Sequence, residues 1–360
     1  MHYLESRVFM STPLDTLWYT HSPVPTGLGI AVESGRLAQA FQPLGTRIQA
    51  LRESSDREVR EAHFDHHLRN SVRHGGNIPA IWAKASGRAT RVIGLSWSDE
   101  VQLIVTTADS GVSSIRDLHN RRFGLPKWAN VQIDFTRAQA IRGLENALSL
   151  EGLRVADVEL VDYPYGGTYS DDPVRHVYGA QVSLNGNRAR KRNNELIGLL
   201  RGDIDAIFLK GAHGLQIADE FGLRVVADIG SHPDPLIRAN IGTPRTLTVD
   251  QHLLDEYFDA AVLILNTVLR AEQWAWAHPE ETRRFLAREL NTSEYWVANA
   301  YGDDAHLRLQ TNLAERSIGA LQDLTDFLER WDFIPRGFDV REWIEPRPFE
   351  QLLETVNVAI

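Results

Sequence analysis

The chain of 360 residues contains no cysteine. That excludes disulfides, thiolate-held zinc, iron–sulfur clusters and every mechanism built on a cysteine nucleophile. It also lacks a basic excess: 38 Lys and Arg against 48 Asp and Glu leave a formal charge of −10. A net negative field does not recruit nucleic-acid phosphates or anionic lipid, so neither is an expected partner, although a local basic pocket stays compatible with it. No apolar run approaches the ~18 residues of a membrane span. The first residues, Met1-His2-Tyr3-Leu4-Glu5-Ser6-Arg7, carry an acid where a secretory leader needs a basic start and ~7–15 apolar residues. A soluble, cytoplasmic monomer is the expectation. What is present is apolar material for sizeable cores, 43% hydrophobic against 24% charged, in a length that suits two units.

Short apolar runs ending at turns alternate with helical patterns. Leu17–Thr20, Arg91–Leu95, Gln102–Thr106, Arg122–Pro126, Val158–Tyr163, Asp205–Leu209 and Arg224–Asp228 read as strands. Helices are expected through Gly29, Ala31 and Val32, over Asp134–Leu150 and over Arg188–Leu200, and beyond Asp250 nearly everything is helical. The helical region carries an apolar stripe through Tyr257, Ala261, Leu265 and Val268. Strands alternating with long helices predict an α/β fold with largely parallel sheets, here two lobes and a helical tail. Two segments sharpen this: the turn, capped helix and strand of Asp109–Pro126, and the turn Gly202-Asp203-Ile204-Asp205-Ala206. They resemble the lobe-crossing and second-lobe signatures of periplasmic-type (type 2) solute-binding proteins. The expected division is 1–108 for the first part of lobe I, 109–234 for lobe II, and 235–360 for the return to lobe I with the tail. In such a fold a ligand sits between lobes, where strand ends and helix N-termini converge.

The first eighty residues hold the chemistry. Tyr19-Thr20-His21-Ser22-Pro23-Val24-Pro25 turns from a strand toward a helix, ahead of Glu33-Ser34-Gly35. Ser22 there either borders an anion at a positive helix end or caps the helix, with Pro23 at its first position. His63-Phe64-Asp65-His66-His67 is followed by Arg73-His74-Gly75-Gly76-Asn77-Ile78-Pro79. Paired glycines allow close backbone approach, and Arg73 can fork onto an oxyanion. His63 and His67 share a helix face, but no further ligand pair completes a zinc site, so no metal and no cofactor is expected.

Together these segments resemble the 2′-hydroxybiphenyl-2-sulfinate desulfinases, which complete dibenzothiophene desulfurisation on a solute-binding-protein fold and release sulfite. Their pattern is Cys-Pro-Val-Pro, then Glu-Ser-Gly, then a histidine ten residues before Arg-x-Gly-Gly-x-Ile-Pro. The chain keeps that order over about residues 19–80, including the ten-residue step from His63 to Arg73. The resemblance implies that His63 is the catalytic histidine and that Arg73 holds the sulfinate. Gly76 matches the glycine whose backbone borders the sulfinate; Gly75 beside it and His21 are further substrate-binding candidates. Ser22 stands where the family has its catalytic cysteine.

A hydroxyl is a weaker acid than a thiol and needs a base such as His63 to act as a nucleophile. Three readings of Ser22 stay open: a natural serine enzyme, a binding protein that never catalyses, or an enzyme inactivated at its only cysteine. The expected ligand is a small aromatic anion. Trp18, Tyr19, Trp82, Trp97, Trp128, Tyr163, Tyr165 and Tyr169 are the aromatic residues that can hold its ring, and Tyr163–Pro173 has the composition of a lid. The basic run Arg188, Arg190, Lys191 and Arg192 reads as a solvated helix face. Desulfinase-like carbon–sulfur hydrolysis is the first functional expectation, and a solute-binding protein of an ABC-type transporter the alternative. A thiamine-pyrimidine-synthase-like enzyme would need a cysteine-rich iron motif that the chain lacks.

Overall fold

The computed structural model describes residues 13–170, 174–177, 180–183 and 194–357. The start Met1–Arg7, the basic run at 188–192 and the end of the lid candidate, Asp171–Pro173, lie outside them.

The chain first lays down β1 (Thr16–His21), β2 (Arg47–Ala50), β3 (Ser71–Gly75) and β4 (Thr90–Ser96). It crosses to a second sheet with β5 (Gln102–Thr106), β6 (Arg122–Trp128) and β7 (Glu159–Tyr165). A two-stranded ribbon follows, β8 (Val174–Val177) against β9 (Ala180–Ser183), then β10 (Ala206–Lys210) and β11 (Arg224–Asp228). The chain then returns with β12 (Arg245–Asp250) and β13 (Thr311–Asn312). The first sheet has the order β13-β4-β12-β3-β1-β2 and the second β11-β5-β10-β6-β7.

Both sheets are mixed, which corrects the expectation of largely parallel ones. β1 runs parallel to β2 and β3, and β6 parallel to β7 and β10. β12 is antiparallel to β3 and β4, and β5 antiparallel to β10 and β11. The cause is the crossing itself: β5 and β12 are the strands that arrive directly from the other sheet, so no helical crossover reorients them. The passage also comes one strand before position 108, since Gln102–Thr106 already pairs in the second sheet.

Four short helices serve the first sheet: α1 (Gly27–Glu33), α2 (Arg36–Phe41), α3 (Arg57–Asp65) and α4 (Asn77–Ala85). α3 starts at Asp56, whose carboxylate accepts from the Glu58 N–H, and stops at His66, which turns left-handed at φ 54°. In the second sheet α5 (Phe135–Ser149) is capped by Asp134, which accepts from the Arg137 N–H.

The tail is helical as expected. Its 20-residue helix Phe258–Ala277 buries Ala261, Leu265 and Val268 completely against Leu17, Leu28 and Val72. Between the sheets the buried Glu100 carboxylate accepts from Lys210 Nζ at 2.6 Å and from the Tyr301 hydroxyl at 3.1 Å. Burial opposes its charge, yet Lys210 and Arg245 hold its pKa below the ordinary value. No helix among the described residues is long and apolar enough to cross a membrane.

Candidate functional site

β1 and β3 lie side by side with Thr20 opposite Arg73 and His21 opposite His74. Side chains alternate across a strand, so Thr20 and Arg73 share one face of the sheet and His21 and His74 the other.

On the first face, His63 of α3 lies over Thr20, with its Nδ1 2.7 Å from Thr20 Oγ1. Arg73 is buried beneath the end of α3. Its Nε donates to the His63 carbonyl at 3.0 Å and its Nη1 to the Gly76 carbonyl at 2.8 Å. These two bonds fix the guanidinium and leave its Nη2 for a further acceptor, with no partner among the described residues. No carboxylate pairs with Arg73 among the described residues. Burial, with the charge of Arg52, pulls its pKa down to about 9. A buried, unbalanced cation is costly to a fold, and such groups cluster where a ligand supplies the missing charge.

Ser22 follows directly on β1. Its N–H donates to the His74 carbonyl at 3.1 Å, and its hydroxyl accepts from the Gly76 N–H at 3.4 Å. Gly75 is required by this approach, and Gly76 by the packing of Ile241. A Cβ on Gly75 would lie 2.1 Å from Ser22 Oγ, and one on Gly76 would lie 2.8 Å from Ile241 Cγ1. Gly75→Ala therefore displaces the Ser22 hydroxyl. The variant is expected to lose about 1–3 kcal/mol of stability and at least tenfold in affinity for an aryl sulfinate, read by melting and by calorimetric titration.

Ser22 is not the cap of the helix that follows it. α1 begins only at Gly27 and its cap is Thr26, whose hydroxyl accepts from the Gly29 N–H at 3.0 Å. The Leu28 N–H donates to His74 Nδ1 at 3.4 Å. Two donors of this first turn, Leu28 and Gly29, are thus met internally, and the Pro23-Val24-Pro25 stretch delays the helix. No hydrogen bond joins Ser22 to His63.

The second face is built differently. His21 Nδ1 meets Glu289 Oε1 at 2.7 Å; burial opposes a charge on the ring, but the Glu289 carboxylate outweighs it and raises the pKa. His21 is thus turned away from Arg73, into the helix Pro279–Leu290. His74 accepts from Leu28 through Nδ1 and bonds Ser96 Oγ through Nε2 at 3.0 Å. Burial, followed by the charges of Arg245, Arg73 and His21, depresses its pKa to about 3. The unfolded chain takes up this proton near pH 6.5 and the fold refuses it, so stability is intact above pH 6.5 and falls as the pH drops toward 3. Between pH 7 and pH 4.5 denaturant titration is expected to show a loss of about 2–3 kcal/mol from this residue, absent in His74→Gln.

His67 and His63 do not converge on a metal. His67 Nδ1 meets Asp65 Oδ1 at 2.5 Å, while His63 bonds Thr20. Among the described residues no three metal-ligating side chains come together.

An aromatic wall stands beside His63. Phe64 meets the His63 ring edge-on at 4.6 Å and reaches Phe135 at 6.0 Å and Tyr169 at 5.4 Å. Trp128 stacks on Tyr165 at 4.8 Å and touches Tyr169 at 4.7 Å. The wall therefore joins α3 of the first sheet to β6, β7 and α5 of the second. Arg60 Nε, donating to the Ser170 carbonyl at 3.1 Å, and Gln132 Nε2, donating to Asp65 at 3.2 Å, close the same seam. Of the expected aromatic set, Trp128, Tyr165 and Tyr169 meet here. Tyr163 and Tyr165 belong to β7 rather than to a lid. Phe64 and Phe135 were not among the aromatic candidates, nor Thr20 among the polar ones. The ten-residue step from Thr20 to Ile30 carries no sign of a hydroxyl serving a histidine 43 residues away.

Over an alignment of 363 positions the chain is 27% identical to 2′-hydroxybiphenyl-2-sulfinate desulfinase of Rhodococcus erythropolis, covering 92% of each. The chain resembles the desulfinases along nearly its whole length. A cysteine-to-serine variant of the desulfinase DszB in complex with biphenyl-2-sulfinic acid has the same fold. Its TM-score is 0.73 at 24% identity, over 95% of this chain and 99% of that one. The periplasmic aliphatic sulphonate-binding protein SsuA of Escherichia coli aligns at TM-score 0.64 and 16% identity, over 92% of each chain. The architecture is therefore that of two-lobed periplasmic-binding proteins with a helical tail. No protein-family model matches the chain.

Proposed function

We propose that the chain binds an aryl sulfinate, or a closely related aryl oxyanion, between its lobes and hydrolyses the carbon–sulfur bond. The observation that carries this reading is Arg73, a buried guanidinium with no carboxylate partner among the described residues, oriented by the His63 and Gly76 carbonyls. Its Nη2 end takes the sulfinate oxygens, and the Phe64–Phe135–Tyr169 wall holds the ring.

The net reaction is ArSO2⁻ + H2O → ArH + HSO3⁻. The carbon–sulfur bond breaks with its electron pair passing to the ring carbon. That carbon takes a proton, and the water oxygen ends on sulfur. His63, oriented by Thr20, moves the protons, while Ser22 stands beside the sulfur on the Gly76 N–H. The desulfinase relative supports the reaction class. The DszB variant bearing serine in place of a cysteine while holding biphenyl-2-sulfinic acid supports binding without that thiol. The protein then works as a cytoplasmic monomer without metal or cofactor.

One observation favours a second reading, a binding protein for aromatic sulfinates or sulfonates. Among the described residues no base bonds the Ser22 hydroxyl, whose one partner is the Gly76 N–H. Incubation of the chain with biphenyl-2-sulfinate and a sulfite assay separates the two. Sulfite released over many turnovers supports the enzyme, and stoichiometric binding without sulfite supports the binding protein.

A further inference from the structure

The three histidines at 63, 66 and 67 have three different fates. His63 faces Thr20. His67 turns toward a groove of about 650 Å³ that it lines with the buried Asp65 and with Arg57, Glu58, Glu61, Arg88 and Gln132. His66 goes inward.

His66 ends α3: its N–H donates to the Ala62 carbonyl at 3.1 Å, and its backbone turns left-handed at φ 54°. A non-glycine residue in that conformation is uncommon and is held by its surroundings. The side chain is 7% exposed, and its Nε2 is sealed from solvent with no hydrogen-bond partner among the described residues. Native folds rarely leave a buried ring nitrogen unmet, because desolvation without a bond is costly. A purely structural position would favour an apolar side chain.

The place of His66 gives the unmet nitrogen a use. Arg73 grips the same last turn of α3 through the His63 carbonyl, three residues before His66. Burial first, then the charges of Arg73 and Arg88, hold the pKa of His66 well below the ordinary value, so the imidazole is neutral. A neutral ring beside a buried cation adds no repulsion, and it supplies a directional donor when its proton sits on Nε2.

We propose that His66 is a second ligand-contacting residue of the anion site, donating Nε2–H to an oxygen of the aryl sulfinate that Arg73 neutralises. This rests on the binding reading given above. Arg73 supplies charge and His66 supplies direction, so a pyramidal sulfinate held by both is distinguished from a planar carboxylate of the same ring.

The test is calorimetric titration of the full chain and of its His66→Gln, His66→Phe and Arg73→Ala variants with biphenyl-2-sulfinate and biphenyl-2-carboxylate. Melting of each ligand-free protein is recorded alongside. Gln and Phe share the strain of the left-handed backbone but differ in the donor. Expected is at least a tenfold loss of sulfinate affinity in His66→Phe, and a loss under threefold in His66→Gln. Carboxylate affinity changes less than sulfinate affinity, and the ligand-free His66→Phe melts no lower than His66→Gln. Equal sulfinate affinity in the two His66 variants, with Arg73→Ala still abolishing binding, overturns the role of His66 and leaves the anion site standing. Failure of the unaltered chain to bind sulfinate overturns both. If His66→Phe fails to fold, the imidazole ¹⁵N shifts of the unaltered chain decide. An Nε2 resonance of His66 that moves on adding sulfinate supports the contact, and one that stays overturns it.

Discussion

Arg73→Ala is expected to lose aryl-sulfinate affinity by at least a hundredfold while the ligand-free protein keeps its fold. The guanidinium is buried, and its charge has no carboxylate to balance it among the described residues. Removing one partner of a buried, hydrogen-bonded charge pair costs about 3–5 kcal/mol, and each ~1.4 kcal/mol is a factor of ten in affinity. That pair exists only with ligand bound, so the cost falls on binding. In the ligand-free protein the substitution removes an unbalanced charge and two bonds to carbonyls, changes of opposite sign. Arg73→Lys keeps the charge but not the planar fork, and is expected to fall between. Calorimetry with biphenyl-2-sulfinate, with the melting temperature of each variant beside it, checks both halves. A large fall in melting temperature with unchanged affinity would make Arg73 a structural residue.

Ser22→Cys is expected to raise sulfite release by about a hundredfold or more, within the range that a matched acid or nucleophile contributes. The hydroxyl accepts from the Gly76 N–H at 3.4 Å and has no bond to a base among the described residues. A thiol at the same point is intrinsically more nucleophilic and a stronger acid, with an ordinary pKa near ~8.5. Steady-state sulfite release from the two proteins, with affinity measured in parallel, is the check. A rate that rises with affinity unchanged says that the site binds already and lacks only the reactive group. Equal rates from both proteins make Ser22 either the working group or a bystander, and Ser22→Ala then separates those two.

The alternating strands and the helical tail were legible because β4, β5, β6 and β10 are runs of apolar residues. β3 and β12 were not, although both are almost wholly buried. Ser71–Gly75 and Arg245–Asp250 are rich in Arg, His and Thr, so hydrophobic alternation passes over them. Arg73 donates to the His63 and Gly76 carbonyls and His74 bonds Leu28 and Ser96, which removes the desolvation cost of most of their polar atoms. In β3 one residue that conceals the strand, Arg73, is thus the one that makes the site.

Within the site, motif order brought Ser22, His63, Arg73, Gly75 and Gly76 together as candidates, and the contacts of Arg73 with Gly76 and of Ser22 with Gly76 come from the fold. So does the face on which each side chain lies. Strand parity puts His21 and His74 opposite Thr20 and Arg73, and that needs the β1–β3 register, which only the fold supplies. Contacts between distant segments were equally hidden. His63 on Thr20, His21 on Glu289, and Phe64 against Phe135 and Tyr169 each join parts of the chain that no local pattern relates.

The central claim is that the buried fork of Arg73 receives an aryl oxyanion. Calorimetric titration of the unaltered chain with biphenyl-2-sulfinate, beside unsubstituted biphenyl, tests it most directly. The account predicts saturable one-to-one binding of the sulfinate, with biphenyl bound at least a hundredfold more weakly. Equal affinity for the two, or no saturable heat with the sulfinate at millimolar concentration, would contradict it.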